Sequence, residues 1–362
     1  MKGVNCDNLF SASASDKTVK ISFKGLESIA SCQGGDFSRQ DPTKIGRRDI
    51  SKGSNFYSMD DDIRMGREFT TTFLANNPGK IYPDNHIATL YAQSLMERIA
   101  AVSDMPQLKP RVRVINANVL NAFALPGGEV YIFRGIIAAS RSESELVGVL
   151  GHEWAHVTQR HGTRGMTRAI KTIIAAEAAG AVAGALLGAY GKDAVGEKYS
   201  EQATQVIPKL TEGGGALYML NRTRSQEADA DEIGSQYAWA LNFAPWGLGD
   251  MFEVLSGGSS KKSDSWIEQQ KTWLEEQQSD HPALQSRIDH VARLSALFYP
   301  APGGRGYQDN TPRYLEVRSV LTNDPWPPKE ESINMGDKFS NDLNDFAQKQ
   351  VLKGLNSGKD HE

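Results

Sequence analysis

Apolar residues recur at two different periods along this chain, and the changes between them predict its elements. Ser58 stands before Met59-Asp60-Asp61, so a hydroxyl cap and an acidic first turn open a helix there. Ile87, Leu90, Tyr91, Leu95 and Ile99 then fall at helical spacing and predict a second helix over about 86–102. The period shortens afterwards. Val112 and Val114, Asn121 to Leu125, and Glu129 to Phe133 read as extended, and Pro126-Gly127-Gly128 supplies a turn between the last two. A small sheet with one hairpin follows from this pattern.

Helical spacing returns at Ser142, where Glu145 completes a capping-box pattern ahead of Leu146, Val147, Val149, Leu150 and Val157, with Gly162 as the expected stop. Further helical stretches are predicted over about 167–190, 221–241, 266–274 and 282–298. The whole reads as an α+β fold, mainly helical, with a small sheet.

Residues 1–54 are rich in Ser, Asp, Lys and Gly without periodicity and are expected to form a flexible leader. One folded domain is expected over 55–300. Pro300-Ala301-Pro302-Gly303-Gly304 then opens an extension, 301–362, with room for one short helix near 339–355. With 39% hydrophobic and 23% charged residues among 362, the chain has the balance of a globular protein. Its formal charge of −4 gives no electrostatic reason to expect a nucleic-acid partner. Cys6 and Cys32 are its two cysteines, too few for a disulfide framework or a cysteine metal site. Met1-Lys2 leads into no apolar run, so either export does not use an ordinary leader or the true start lies elsewhere.

The stretch 167–190 stands apart. Gly180, Gly184 and Gly188 lie four apart in an Ala-rich run, as in helices that approach closely within membranes. Lys171, Glu177 and the weak hydrophobicity of Ala and Gly argue against a span. A lid beside the active site or a peripheral membrane contact is expected instead, with plain buried core as the remaining reading.

The chemistry is carried by Gly151-His152-Glu153-Trp154-Ala155-His156. Two histidines four apart share one helix face and can reach one ion, and Glu153 follows the first where a carboxylate can serve a metal-activated water. Apolar residues crowd the preceding turns, so a solvated face is a poor explanation; buried imidazoles need partners. Catalytic zinc takes three protein ligands and keeps one position open. The third ligand is sought among Glu227 and Asp231, four apart on a later helix. One of them would bind the ion while the other holds a ligand imidazole. Spacing alone weighs that about equally with a solvated acidic face.

Together, Asn121-Ala122-Phe123-Ala124-Leu125-Pro126-Gly127-Gly128, the His-Glu-x-x-His helix and Glu227-Ala228-Asp229-Ala230-Asp231 resemble the gluzincin group of CAAX prenyl endopeptidases, HtpX and BepA. The chain is most similar to the periplasmic BepA-like branch, over about residues 55–300. The resemblance implies an endopeptidase with one zinc ion per chain, His152, His156 and Glu227 as ligands, and Asp231 behind them. It also implies a periplasmic or membrane-associated setting and protein or peptide substrates held along an active-site edge strand, Asn121, Ala122, Phe123 and Ala124. His281, before Pro282, and Arg287 match the family's active-site His and Arg. His281 is expected either to donate to the oxyanion or to plug the open zinc position. Two other readings carry different functions: an inactive chaperone or scaffold of the same fold, and a metallohydrolase of non-peptide substrates.

Overall fold

The computed structural model of the chain describes residues 42–50, 53–178, 222–255, 284–298, 306–308, 310–325, 346 and 349–350. Helix α1 (Met59–Asn76) starts as its sequence predicts: Ser58 accepts from the Asp61 amide, and the Asp61 carboxylate accepts from the Ser58 amide. Helix α2 (Ile87–Ala101) leads to strand β1 (Arg111–Ile115). Strands β2 (Ala122–Ala124) and β3 (Glu129–Phe133) form the hairpin around a short 3-10 turn, Pro126–Gly128. At Gly127 the backbone has φ of 78°, where a side chain would collide with Ile63 and Asp62, so only glycine suits this turn.

The sheet order is β1-β3-β2, with β1 parallel and β2 antiparallel to β3. The central strand β3 is buried along its whole length because both faces are covered. Val112, Val114, Ala124, Val130 and Ile132 face one core, shared with Leu95 and Ile99 of α2. Phe123, Tyr131 and Phe133 face the other, which holds Phe69 and Phe73 of α1 together with Met166 and Ile170. Phe123 stacks on Tyr131 at 4.7 Å between ring centres.

After the short helix α3 (Arg134–Ala139) comes the long buried helix α4 (Glu143–Thr158), which lies against the first core through Leu146, Leu150 and Trp154. Ser142 caps α4 at the Glu145 amide, but the Glu145 carboxylate turns to the Arg141 amide and guanidinium, so the capping box is only half formed. Gly162 is not the stop. Helix α4 ends at Thr158, Arg160 turns the chain with φ of 53°, and Gly162 is the second residue of helix α5 (His161–Ala178). A left-handed arginine is strained, and tertiary bonds offset that strain: its guanidinium grips both oxygens of Asp62 at 2.7 and 2.8 Å and the carbonyls of Tyr57 and Ser58.

Helices α6 (Arg224–Ala240), α7 (Gly247–Leu255), α8 (Leu284–Phe298) and α9 (Pro312–Asn323) complete the described residues. Within the stretch expected as a leader, residues near 48 are seated on the domain: Arg48 pairs with buried Asp104 at 2.7 Å. Within the expected extension, α9 buries Tyr314, Val317 and Leu321 in the first core. Fully buried Arg134 takes carbonyls at and just beyond the end of that helix, donating to Leu321 at 2.6 Å and to Pro325 at 3.0 Å. Residues 179–190 and 266–274, and most of 339–355, lie outside the described residues.

Candidate metal centre

Helices α4 and α6 touch backbone to backbone, because a glycine from each meets at the crossing. A Cβ built on Gly151 would lie 2.8 Å from the Gly234 carbonyl oxygen, and one on Gly234 would lie 2.6 Å from the His152 amide nitrogen. This approach carries the acidic face of α6 onto the two histidines of α4.

His152 and His156 bring their Nε2 atoms to 3.0 Å. Glu227 reaches them from α6, with one carboxylate oxygen 3.5 Å from His152 Nε2 and the other 3.4 Å from His156 Nε2. All three side chains are buried, and among the described residues they are the group able to share one ion. Ligand atoms around a tetrahedral zinc stand about 3.3–3.4 Å apart, and one donor atom from each of these residues lies within 4.8 Å of the others, so the set can converge on one such ion.

The surrounding groups set the state of each donor. Asp231 lies one turn beyond Glu227, with Oδ1 2.9 Å from His152 Nδ1. Burial pushes the Asp231 carboxyl up, but the charge and hydrogen bonds of Arg287, and then His152, hold it below the usual range. An ionised carboxylate only accepts, so Nδ1 of His152 carries the proton and Nε2 offers its lone pair inward. Burial, and then the charge of Arg222, holds His156 well below the usual histidine range; neutral imidazole is the form a metal requires. Arg287, from α8, closes the back of the site, donating to both oxygens of Asp231 at 2.9 and 2.7 Å and approaching Glu227 at 3.1 Å. Its guanidinium also lies 4.3 Å from the centre of the Phe252 ring.

Glu153 is buried on α4 between the two histidines in sequence, near enough for its charge to act on Arg222 and Arg287. Strand β2 forms one edge of the sheet. Its pairing gives that edge a direction: Phe133 donates to the Asn121 carbonyl and Leu125 donates to the Glu129 carbonyl. In an antiparallel ladder alternate residues face the partner strand, so Ala122 and Ala124 turn their main-chain groups outward. His281 lies outside the described residues.

Two groups at the site escape sequence reasoning. Arg222 reaches the centre from just before α6, and its isolated position in sequence carries no signal. His161 begins α5 immediately after the left-handed turn at Arg160, and its Nδ1 lies 2.7 Å from His156 Nδ1. No metal-motif spacing includes a histidine five residues past the second ligand, although the turn directs it back. One of the paired nitrogens carries the proton that the other accepts, so His161 fixes the ring of His156. His161→Phe is expected to weaken zinc affinity about 10- to 100-fold, as loss of a ligand's supporting partner does. Competition with a chromophoric chelator measures this, with His161→Asn recovering part of the loss; unchanged affinity in the Phe variant would assign His161 to packing alone.

Residues 87–295 match the family model described as Peptidase family M48. The chain is 37% identical over 122 residues to the mitochondrial metalloendopeptidase OMA1 of Schizosaccharomyces pombe, covering 33% of this chain and 36% of that protein. It is 26% identical over 245 residues to the beta-barrel assembly-enhancing protease of Yersinia pestis, covering 68% of this chain and 46% of that protein. With the metalloprotease LoiP of Escherichia coli it shares 27% identity over 192 residues, 51% of this chain and 62% of LoiP. The chain thus spans between about a third and two thirds of the length of these relatives. A buried pair of histidines and a glutamate able to share one ion, on helices that the family model covers, leaves one assignment: the chain belongs to peptidase family M48.

Proposed function

We propose that this chain is a zinc-dependent endopeptidase that hydrolyses peptide bonds in protein substrates. The observation that carries this reading is the buried His152, His156 and Glu227 donor set, converging on one point beside a strand that is an edge of the sheet among the described residues. In this reading the three residues hold one zinc ion per chain. When bound, zinc supplies Lewis acidity toward a water and toward the scissile carbonyl.

The chain's own groups do the rest. Glu153 takes a proton at its carboxylate and returns it to the leaving amine. Asp231 holds the His152 ring, and Arg287 holds Asp231 and Glu227. Ala122 and Ala124 pair with the substrate main chain as an added strand, with Asn121 and Phe123 fixing that strand to the sheet; main-chain pairing gives affinity with little sequence preference. His281 is assigned to the oxyanion or to a removable fourth ligand. The catalytic unit is assigned to residues 55–300.

Misfolded or envelope proteins are the proposed substrates, by likeness to a relative named for β-barrel assembly. Peripheral membrane contact through 167–190 belongs to the same reading. Among the described residues no helix is long and apolar enough to cross a membrane. An inactive chaperone is disfavoured because the donors and Glu153 are all present.

Digestion of an unfolded model protein such as casein tests the reading. Cleavage should stop on full chelation and return with about one equivalent of zinc per chain. Cleavage that persists without metal would overturn it.

A further inference from the structure

The arginines around the metal centre differ in how their charge is met. Arg287 has the carboxylates of Asp231 and Glu227, and Arg160 has that of Asp62. Arg222 is 8% exposed, and its Nη2 donates to the Ala124 carbonyl at 3.3 Å. Its Nη1 is buried and has no hydrogen-bond partner among the described residues. Burial lowers its pKa, against the more distant charges of Glu153 and Glu227. Among the described residues this desolvated guanidinium forms no ion pair, although the charges of Glu153 and Glu227 act on it, and buried cations normally meet an anion directly.

Its place says where that anion would come from. The Ala124 carbonyl points away from β3, to the side of β2 that pairs with no strand among the described residues, so Arg222 stands at the end of the edge along which a substrate strand would pair. A small pocket adjoins it, with room for about one water molecule, so a carboxylate would reach it only at its mouth; Arg160 and Thr163 line it beside Ala124, Leu125, His156 and Arg222. His156 forms part of its wall, so the pocket adjoins the reacting centre. Its other walls are mainly apolar, which strengthens a charge-assisted bond at its mouth.

We propose that Arg222 is a specificity-determining residue that binds a substrate carboxylate, either an acidic side chain flanking the scissile bond or a free peptide C-terminus. The proposal rests on the peptidase reading above. The forked guanidinium suits a carboxylate better than an ammonium does, and the Ala124 contact sets its orientation relative to the substrate strand.

One peptide sequence is made with Glu, Gln or Lys at each of the two positions on either side of the cleaved bond, and each peptide as the C-terminal acid and amide. Zinc-loaded wild type should prefer one acid-bearing form over its neutral counterpart by about ten- to hundredfold in kcat/KM, mainly through KM. A preference for Glu over Gln identifies the side chain; a preference for acid over amide identifies the C-terminus. Arg222→Gln should abolish the preference, read as the ratio of acidic to neutral kcat/KM within each enzyme, so that any general change in activity cancels. Arg222→Lys should keep only part of the preference, which serves as the test if the Gln variant does not fold. Equal cleavage of acidic and neutral peptides by wild type, or a preference that survives in both variants, overturns the proposal.

Binding separates this outcome from failure of the peptidase reading. Fluorescence anisotropy with the same peptides on Glu153→Gln, with and without Arg222→Gln or Arg222→Lys, needs no hydrolysis. If wild type cleaves nothing, the peptidase reading fails. Carboxylate-selective binding that is lost with Arg222→Gln and weakened with Arg222→Lys would still uphold Arg222; unselective binding would sink it.

Discussion

Glu153→Gln is expected to lower peptide hydrolysis by about 10²- to 10⁴-fold, the usual weight of a general base, with zinc still bound at one ion per chain. The substitution keeps the shape of a buried side chain and removes only its ability to accept a proton. The donor set of His152, His156 and Glu227 does not include Glu153, so metal content should be unchanged. Turnover of a quenched-fluorescent peptide, read beside zinc content by elemental analysis, checks both parts. Activity within tenfold of wild type would remove Glu153 from the chemistry. Loss of zinc with the activity would instead make it part of the metal's support.

Glu227→Ala should lose both zinc and activity. Two imidazoles remain after the change, one donor short of the three protein ligands that catalytic zinc uses. The variant also leaves Arg287 with Asp231 as its remaining carboxylate contact at the site, in a place where charge balance matters. A ligand that binds only the folded chain raises its stability by mass action, so wild type should melt several degrees higher with excess zinc than with chelator. The variant should melt at one temperature in both. A zinc-dependent rise that persists in Glu227→Ala would show that the third donor lies elsewhere.

How far the sequence reveals this molecule depends on the range over which each signal acts. The cap at Ser58, the hairpin around Gly127 and the two histidines on one face of α4 are local, and local sterics and periodicity made them readable. The end of α4 was misread at Gly162 because Arg160 adopts the conformation that glycine is usually needed for. What permits it is Asp62, far away in sequence, and no window around Arg160 contains that residue. Glu227 and Asp231 could be recognised as a pair, but not as facing His152, since the helix crossing that joins them depends on two distant glycines. His161 and Arg222 were invisible for the same reason: each reaches the centre through a turn or approach set by tertiary structure.

The contact between Gly151 and Gly234 also locks the helices against sliding. Glu227 and Asp231 sit one turn apart, so a slip of α6 along α4 by about 5.4 Å would put an aspartate where the glutamate belongs. Bulkier residues at the crossing would hold the helices farther apart and blur the distinction between those registers. With bare backbones in contact, each helix fits the other like a key cut to one depth: the longer acid meets the inner nitrogen and the shorter acid meets the outer one. The metal centre is therefore a gauge of helix spacing. Heat, pressure or a methyl group that parts α4 from α6 would disconnect the ligands while both helices stayed intact.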